Sequence, residues 1–183
     1  MIIKVRKETR DDYPDVKRVV KAAFEKEFGK DKESTLIERL RQNAVFIPDL
    51  SLVAVVGDSV VGHALFFPVV IRSDCERPDA LSLSLAPIAV APDFQRKGIG
   101  KRLIEEGLSI AATLGHKSVI VFGHPSYYPR FGFKPAGNWH VKPSFSGVPD
   151  NAFMAIELLA GGLTDSSGTV QLPEEFNEAI EAM

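Results

Sequence analysis

Ile88-Ala89-Val90-Ala91-Pro92-Asp93-Phe94-Gln95-Arg96-Lys97-Gly98-Ile99-Gly100-Lys101-Arg102-Leu103-Ile104 is the stretch that decides the architecture of this chain. An apolar run from Leu81 to Val90 reads as a strand, and Pro92 closes it. Gly98 and Gly100 then open an amphipathic helix that carries Leu103, Ile104, Leu108, Ile110, Ala111 and Leu114 on one face. Gly115 follows where a left-handed C-cap is favoured. Ser118 to Phe122 is short, apolar and β-branched, as a buried strand should be. Strand, glycine turn, helix and strand make a crossover unit, so the second strand is expected to run parallel to the first.

Working outward, Pro87 removes a ladder donor and predicts an edge, bend or bulge. Upstream, Leu52–Val56 and Val60 to Arg72 read as strands joined by the tight Gly57-Asp58-Ser59 turn of an antiparallel hairpin. Ile3 and Val5, alternating with Lys4 and Arg6, predict a first strand with one dry face. A helix follows, with Asp11 and Asp12 as caps, Pro14 in its first turn and Val16, Val19, Val20, Ala23 and Phe24 at helical spacing. A shorter helix is expected around Leu36, Ile37 and Leu40, with Thr35 and Glu38 at capping-box separation. The charged stretch Glu25 to Glu33 between them reads as a solvated face.

Downstream, Trp139–Val141 and Ala152–Leu158 read as strands, Gly161–Gly168 as a loop and Pro173–Ala182 as a terminal helix. The expected fold is α/β: a mixed, largely antiparallel central sheet with one β-α-β unit and flanking helices. Residues 1–160 are expected to form one domain, with 161–183 an extension packed on it.

The chain has 183 residues, 45% hydrophobic and 25% charged, which suits a single soluble domain. Twenty-two Lys and Arg against 24 Asp and Glu argue against a nucleic-acid-coating role. Cys75 is the sole cysteine, so an intramolecular disulfide and a cysteine-rich zinc site are excluded. His63, His116, His124 and His140 have no metal-ligand spacing, and no metal is expected. No apolar run reaches membrane-spanning length, and the charged, alternating start is unlike a signal peptide. An intact cytoplasmic protein with no membrane partner is expected.

The turn from Gln95 to Gly100 carries the clearest chemistry. Glycines allow close backbone approach, and the first helical turn offers unpaired N–H groups backed by the positive end of the dipole. That geometry suits a diphosphate, and Arg96, Lys97, Lys101 and Arg102 concentrate positive charge there. A glycine-softened turn with a basic rim is the alternative. A Walker A loop is excluded because Arg102 follows Gly100-Lys101, and a dinucleotide turn because Leu103 stands where its third glycine belongs.

The second feature is Tyr127-Tyr128-Pro129-Arg130-Phe131-Gly132-Phe133, just after the strand ending near Gly123. With both segments the chain resembles the GNAT superfamily of N-acetyltransferases, and its YhbS-like branch. The resemblance runs from about residue 2 to 158 in element order and is specific from Leu85 to Phe133. It implies that Gln95, Arg96, Lys97, Gly98, Ile99, Gly100 and Lys101 hold the diphosphate of coenzyme A. It implies that Ile88, Ala89 and Val90 lie on a bulged strand pairing with the pantetheine arm, and that Tyr128 stands by the thioester sulfur. Gly123-His124 occupies the place where many relatives carry an asparagine that holds this arm.

The implied reaction transfers acetyl from acetyl-CoA, the expected cosubstrate, to a primary amine by direct attack in a ternary complex. A backbone N–H near Val90 is the expected oxyanion donor, and Tyr128, with an ordinary tyrosine pKa of about 10, the expected acid for the departing thiolate. Glu25, Glu27, Glu33, His63, Asp93 and His124 are all candidate bases, and their spacing selects none. Cys75 in a polar Asp-Cys-Glu stretch reads as an exposed structural thiol, and Ser126 does not match a nucleophile elbow. The competing reading is a non-catalytic acyl-CoA-binding sensor or interaction module. The amine cannot be read, and a homodimer is left open.

Overall fold

The computed structural model describes residues 1–24 and 32–176. Its elements are β1 (Lys4–Lys7), α1 (Tyr13–Phe24), α2 (Lys32–Leu40), β2 (Ser51–Val56), β3 (Ser59–Ser73), β4 (Ala80–Val90), α3 (Ile99–Thr113), β5 (Ser118–Phe122), β6 (Lys134–Pro135), β7 (Val141–Lys142), β8 (Phe153–Glu157) and β9 (Gly168–Gln171). The strands follow the order β1-β2-β3-β4-β5-β8-β6, with β9 on β3 and β7 on β9. The pairings β1–β2, β2–β3, β3–β9, β5–β8 and β6–β8 are antiparallel. Only β4–β5 and β7–β9 run parallel among the registers described. This is the expected mixed, largely antiparallel α/β architecture, with β5 parallel to β4 across the α3 crossover.

The chain forms two compact units. The first holds residues 1–67, 86–110 and 174–183, of which 25–31 and 177–183 lie outside the described residues. Its sheet face carries Val53, Val60 and Ala89, against which α1 buries Val16, Val19 and Val20 and α2 buries Ile37. Helix α3 buries Ile99, Leu103 and Ile104. Each such side chain contributes about 1.5–3 kcal/mol by leaving water. The helix sits close because two positions lack side chains. A Cβ on Gly62 would stand 2.9 Å from Ile99 Cγ2, and one on Gly107 would overlap the Phe66 ring at 2.0 Å.

The second unit holds residues 68–85 and 111–173. Val69, Ile71, Ile120, Phe153, Ala155, Leu163 and Val170 form its core. The stretch after residue 160 therefore supplies core residues and the strand β9, whose first residue, Gly168, is the last of the expected Gly161–Gly168 loop.

Local chemistry explains the remaining differences. Asp12 ends a short 3-10 turn, where its carboxylate accepts hydrogen bonds from the Thr9 N–H and hydroxyl, both at 2.8 Å, instead of capping α1. Thr35 lies inside α2, which begins at Lys32, so it is no cap. Trp139 falls in a 3-10 turn ahead of β7. Pro87 lies within β4, three residues beyond Ser84, the last residue whose pairing with β5 is described. Gly57 and Asp58 form the hairpin turn between Val56 and Ser59 as expected, with Gly57 at φ +60°. Helix α3 is closed two residues past Thr113 by Gly115 (φ +85°), where the N–H of Gly115 reaches Ala112 O and that of His116 reaches Ala111 O, both at 3.0 Å. That pair of bonds is the Schellman closure that a C-terminal glycine favours. The solvated stretch expected over Glu25–Glu33 falls largely outside the described residues. Residues 174–176 are helical, and the rest of the expected terminal helix lies outside them.

Candidate active site

The glycine turn belongs to the first unit and Tyr128 to the second. In the first, β4 ends with Ala89 buried and Ile88 and Val90 half-buried, so the latter two present side chains to the face opposite Ala89. Pro92–Phe94 turns the chain, and Gln95 folds back so that its Nε2 donates to Val90 O at 3.2 Å. That bond ties the turn to the strand end. Arg96 and Gly98 both take positive φ, +59° and +82°. Gly98 is the residue type that does so without strain, and a Cβ there would meet nothing within 4 Å.

Arg102 N–H reaches Gly98 O at 3.1 Å, which is the first bond of α3. The N–H groups of Ile99, Gly100 and Lys101 therefore have no intrahelical acceptor, directly after the exposed residues Gln95 to Gly98. This is the geometry the sequence predicted for the turn: a glycine-opened helix start with unpaired N–H groups. The surrounding cations differ from one another. Lys97 Nζ donates to Asp93 O at 2.7 Å, Lys101 lies 3.7 Å from Glu105, and Arg102 donates to Ile3 O at 2.9 Å. Arg96 makes no hydrogen bond or ion pair among the described residues.

In the second unit, Tyr128 begins a 3-10 turn that ends at Gly132, whose N–H donates to Pro129 O at 3.0 Å. Tyr128 is 7% exposed. Its ring meets Tyr127 edge-on at 5.2 Å and Phe133 at 5.7 Å. Its hydroxyl makes no hydrogen bond among the described residues, yet is not among the fully enclosed unpaired atoms. Burial, aided by neighbouring Tyr127, pushes its pKa up to about 12. That departs from the ordinary value assumed from sequence. Arg130 stacks 4.6 Å over the Tyr127 ring, which distinguishes the two tyrosines.

Of the candidate bases, His63 is eliminated by burial. It is 0% exposed, its Nε2 lies 3.1 Å from Ser51 Oγ, and burial together with the Arg41 charge holds its pKa down at about 3. Ser51 Oγ donates to Glu8 at 2.7 Å and so accepts from His63, leaving His63 Nδ1 bare. Glu8 in turn pairs with Arg41, 2% and 7% exposed at their side chains, and Arg41 stacks on Tyr13 at 3.8 Å. Nothing in the sequence spacing marks this buried network, because its members come from four separate segments. Asp93 and His124 are exposed, whereas Glu25, Glu27 and the Glu33 side chain lie outside the described residues.

A cavity of about 750 Å³ in the second unit is lined by Arg77, Leu81, His116, Lys117 and Ser166 and includes none of the expected site residues. Among the described residues no group of three or more His, Cys, Asp or Glu is placed to hold a metal, and no helix is long and apolar enough to cross a membrane.

Residues 4–136 match the family described as the Acetyltransferase (GNAT) domain, so the chain belongs to the GNAT acetyltransferases. It is similar to the uncharacterized N-acetyltransferase YjhQ of Escherichia coli K12, at 35% identity over 141 residues that cover 77% of this chain and 75% of YjhQ. It is also similar to the uncharacterized N-acetyltransferase YhbS of the same strain, at 29% over 174 residues, 94% and 98% of the two chains. Among solved structures, Escherichia coli YhbS in complex with CoA superposes with a TM-score of 0.81 at 29% identity, covering 96% and 92%. A GNAT family acetyltransferase from Brucella melitensis in complex with acetyl-CoA gives 0.74 at 29%, covering 96% and 98%. The family read from Gln95–Gly100 and Tyr128–Phe133 is thus borne out, and with it an acyl-CoA-dependent acetyltransferase.

Proposed function

We propose that this enzyme transfers the acetyl group of acetyl-CoA to a primary amine by direct attack in a ternary complex. The observation that carries the reading is the start of α3, where the exposed Gly98 at φ +82° leads into three N–H groups without intrahelical acceptors. The CoA and acetyl-CoA held by its two structural relatives support it. In this reading Gln95, Arg96, Lys97, Gly98, Ile99, Gly100 and Lys101 take the diphosphate, and Ile88, Ala89 and Val90 take the pantetheine arm.

The amine nitrogen attacks the thioester carbon, forming the C–N bond while negative charge gathers on oxygen. The proposed oxyanion donor is the backbone N–H at Val90, and the neighbouring Ala91 N–H is already bonded to Val61 O at 2.9 Å. The C–S bond then breaks and the sulfur takes a proton from Tyr128. A tyrosine held at about 12 is neutral at working pH but a weaker acid than a free one. Transfer from a phenol held that high to an alkyl thiolate, the weaker base of the two, is uphill alone. It becomes balanced when the proton shed by the attacking nitrogen restores the tyrosine, so that the net change moves one proton from amine to sulfur.

We place this activity in the cytoplasm, a reducing setting in which the exposed Cys75 stays a free thiol. Thiol release from acetyl-CoA, counted above the one thiol of exposed Cys75, with a panel of amines tests the reading. Turnover with at least one amine is expected; CoA binding without turnover across polyamines, amino acids and peptides would favour a sensor instead.

A further inference from the structure

Gly123 has no backbone reason to be glycine. It is absent from the residues with positive φ, and its N–H makes an ordinary 2.9 Å bond to Ala152 O at the end of the β5–β8 pairing. The reason lies in the space beside it. A Cβ at 123 would stand 2.4 Å from Tyr128 Cε2, 3.2 Å from Cζ and 3.3 Å from Cδ2. The edge of the ring next to the hydroxyl-bearing carbon fills the volume that any other side chain would claim.

The ring has little room to yield. Tyr127 and Phe133 meet it edge-on at 5.2 and 5.7 Å, Phe133 is 2% exposed, and the backbone of the turn is closed by the Gly132–Pro129 bond. Ordinary contact begins near 3.4 Å, so one added methyl requires a shift of about 1 Å in the ring, the turn or the strand end. A displacement of that size is large for a group that must meet a reacting atom.

We propose that Gly123 is a positioning residue for Tyr128, its missing side chain fixing where the phenol hydroxyl stands. The inference rests on the reading of Tyr128 as the acid for the thiolate. It also gives a physical reason for glycine at the head of Gly123-His124: a larger residue there and the Tyr128 ring exclude each other.

The experiment compares Gly123→Ala, Tyr128→Phe and the double variant, each labelled with 3-fluorotyrosine for ¹⁹F NMR. The chain has 3 tyrosines, and loss of a signal in Tyr128→Phe assigns that of Tyr128. Gly123→Ala should move the Tyr128 signal and leave that of Tyr13. It should lower kcat about tenfold or more with KM for acetyl-CoA within about twofold, and cost less than about twofold further in the Tyr128→Phe background. An unmoved Tyr128 signal overturns the inference whatever the rates. So does a moved signal with unchanged kcat when Tyr128→Phe is slow. Full turnover by Tyr128→Phe would instead sink the general-acid reading, while a moved signal would leave the steric positioning standing. Should Gly123→Ala fail to fold, Gly123→Ala with Tyr128→Ala is expected to recover folding. Failure of that double variant, where Tyr128→Ala alone folds, would show that the ring is not the obstacle.

Discussion

A tyrosine hydroxyl donates a proton only while it holds one, and burial of Tyr128 extends that condition upward. Because its pKa is raised to about 12, the neutral donor persists through pH 10, where a free tyrosine would be half ionised. Turnover should therefore rise as the amine deprotonates and show no falling limb up to pH 10; a loss of half the activity near pH 10 that disappears in Tyr128→Phe would contradict the burial. Tyr128→Phe keeps the ring contacts and removes the donor, so kcat should fall by about 10- to 10,000-fold with acetyl-CoA affinity little changed. Tyr127→Phe, whose ring lies under Arg130, should cost much less. The spacing of Tyr128 to Gly132-Phe133 singles it out in the sequence as the proposed acid, but its environment was not legible there: the residues enclosing it, Gly123 and Phe133, matter through volume, which no residue pattern displays. His63 shows the converse, since a histidine nameable as a base from sequence is sealed among Glu8, Arg41 and Ser51.

At the scale of the element, α3 is where the sequence was most informative. Its apolar spacing, its opening glycines and its closing Gly115 each correspond to a local physical requirement, and the helix runs from Ile99 to Thr113. Strands β6 and β9 were missed because β6 has only two residues and β9 begins at Gly168, so neither displays an alternating pattern long enough to read. Coenzyme A should raise the melting temperature, and Gly98→Asp should abolish that rise. Gly98 is at φ +82°, so the substitution combines backbone strain with negative charge at the proposed diphosphate site. An undiminished CoA shift in folded Gly98→Asp would remove the diphosphate from this turn. The cations around it should not be equivalent. Arg96 has no competing partner among the described residues, whereas Arg102 is spent on Ile3 O. Arg96→Ala should weaken CoA binding and flatten its salt dependence more than Arg102→Ala does, as titrations at low and high salt would read. Equal slopes for the two would count against this division.

Across the whole molecule, the buried network of the first unit couples stability to pH. His63 on β3 is faced by Ser51 from β2, Glu8 from the end of β1 and Arg41 from just after α2. Its pKa in the fold is about 3, against 6.5 when free, with burial the larger cause and the Arg41 charge the smaller. The unfolded chain therefore takes up the proton first as pH falls. The stabilising contribution is complete above pH 6.5 and declines as pH drops toward 3, by at most about 1.4 kcal/mol per pH unit for one proton. Asp12, held well below the usual carboxylate range by the hydrogen bonds it accepts from Arg6, adds a loss of the same sign only below its free value of 3.8. His116, pushed down by partial burial, acts in the same direction and more weakly in the His63 window. Urea midpoints measured at pH 7.5, 6.5 and 5.5 should consequently fall in the wild type. They should fall much less in His63→Asn, which removes the titrating ring and keeps a donor for Ser51; His116→Asn should retain most of the wild-type slope. A His63→Asn protein as acid-sensitive as the wild type would mean that the proton binds elsewhere, and that the bare Nδ1 inside the first unit does not set its acid limit.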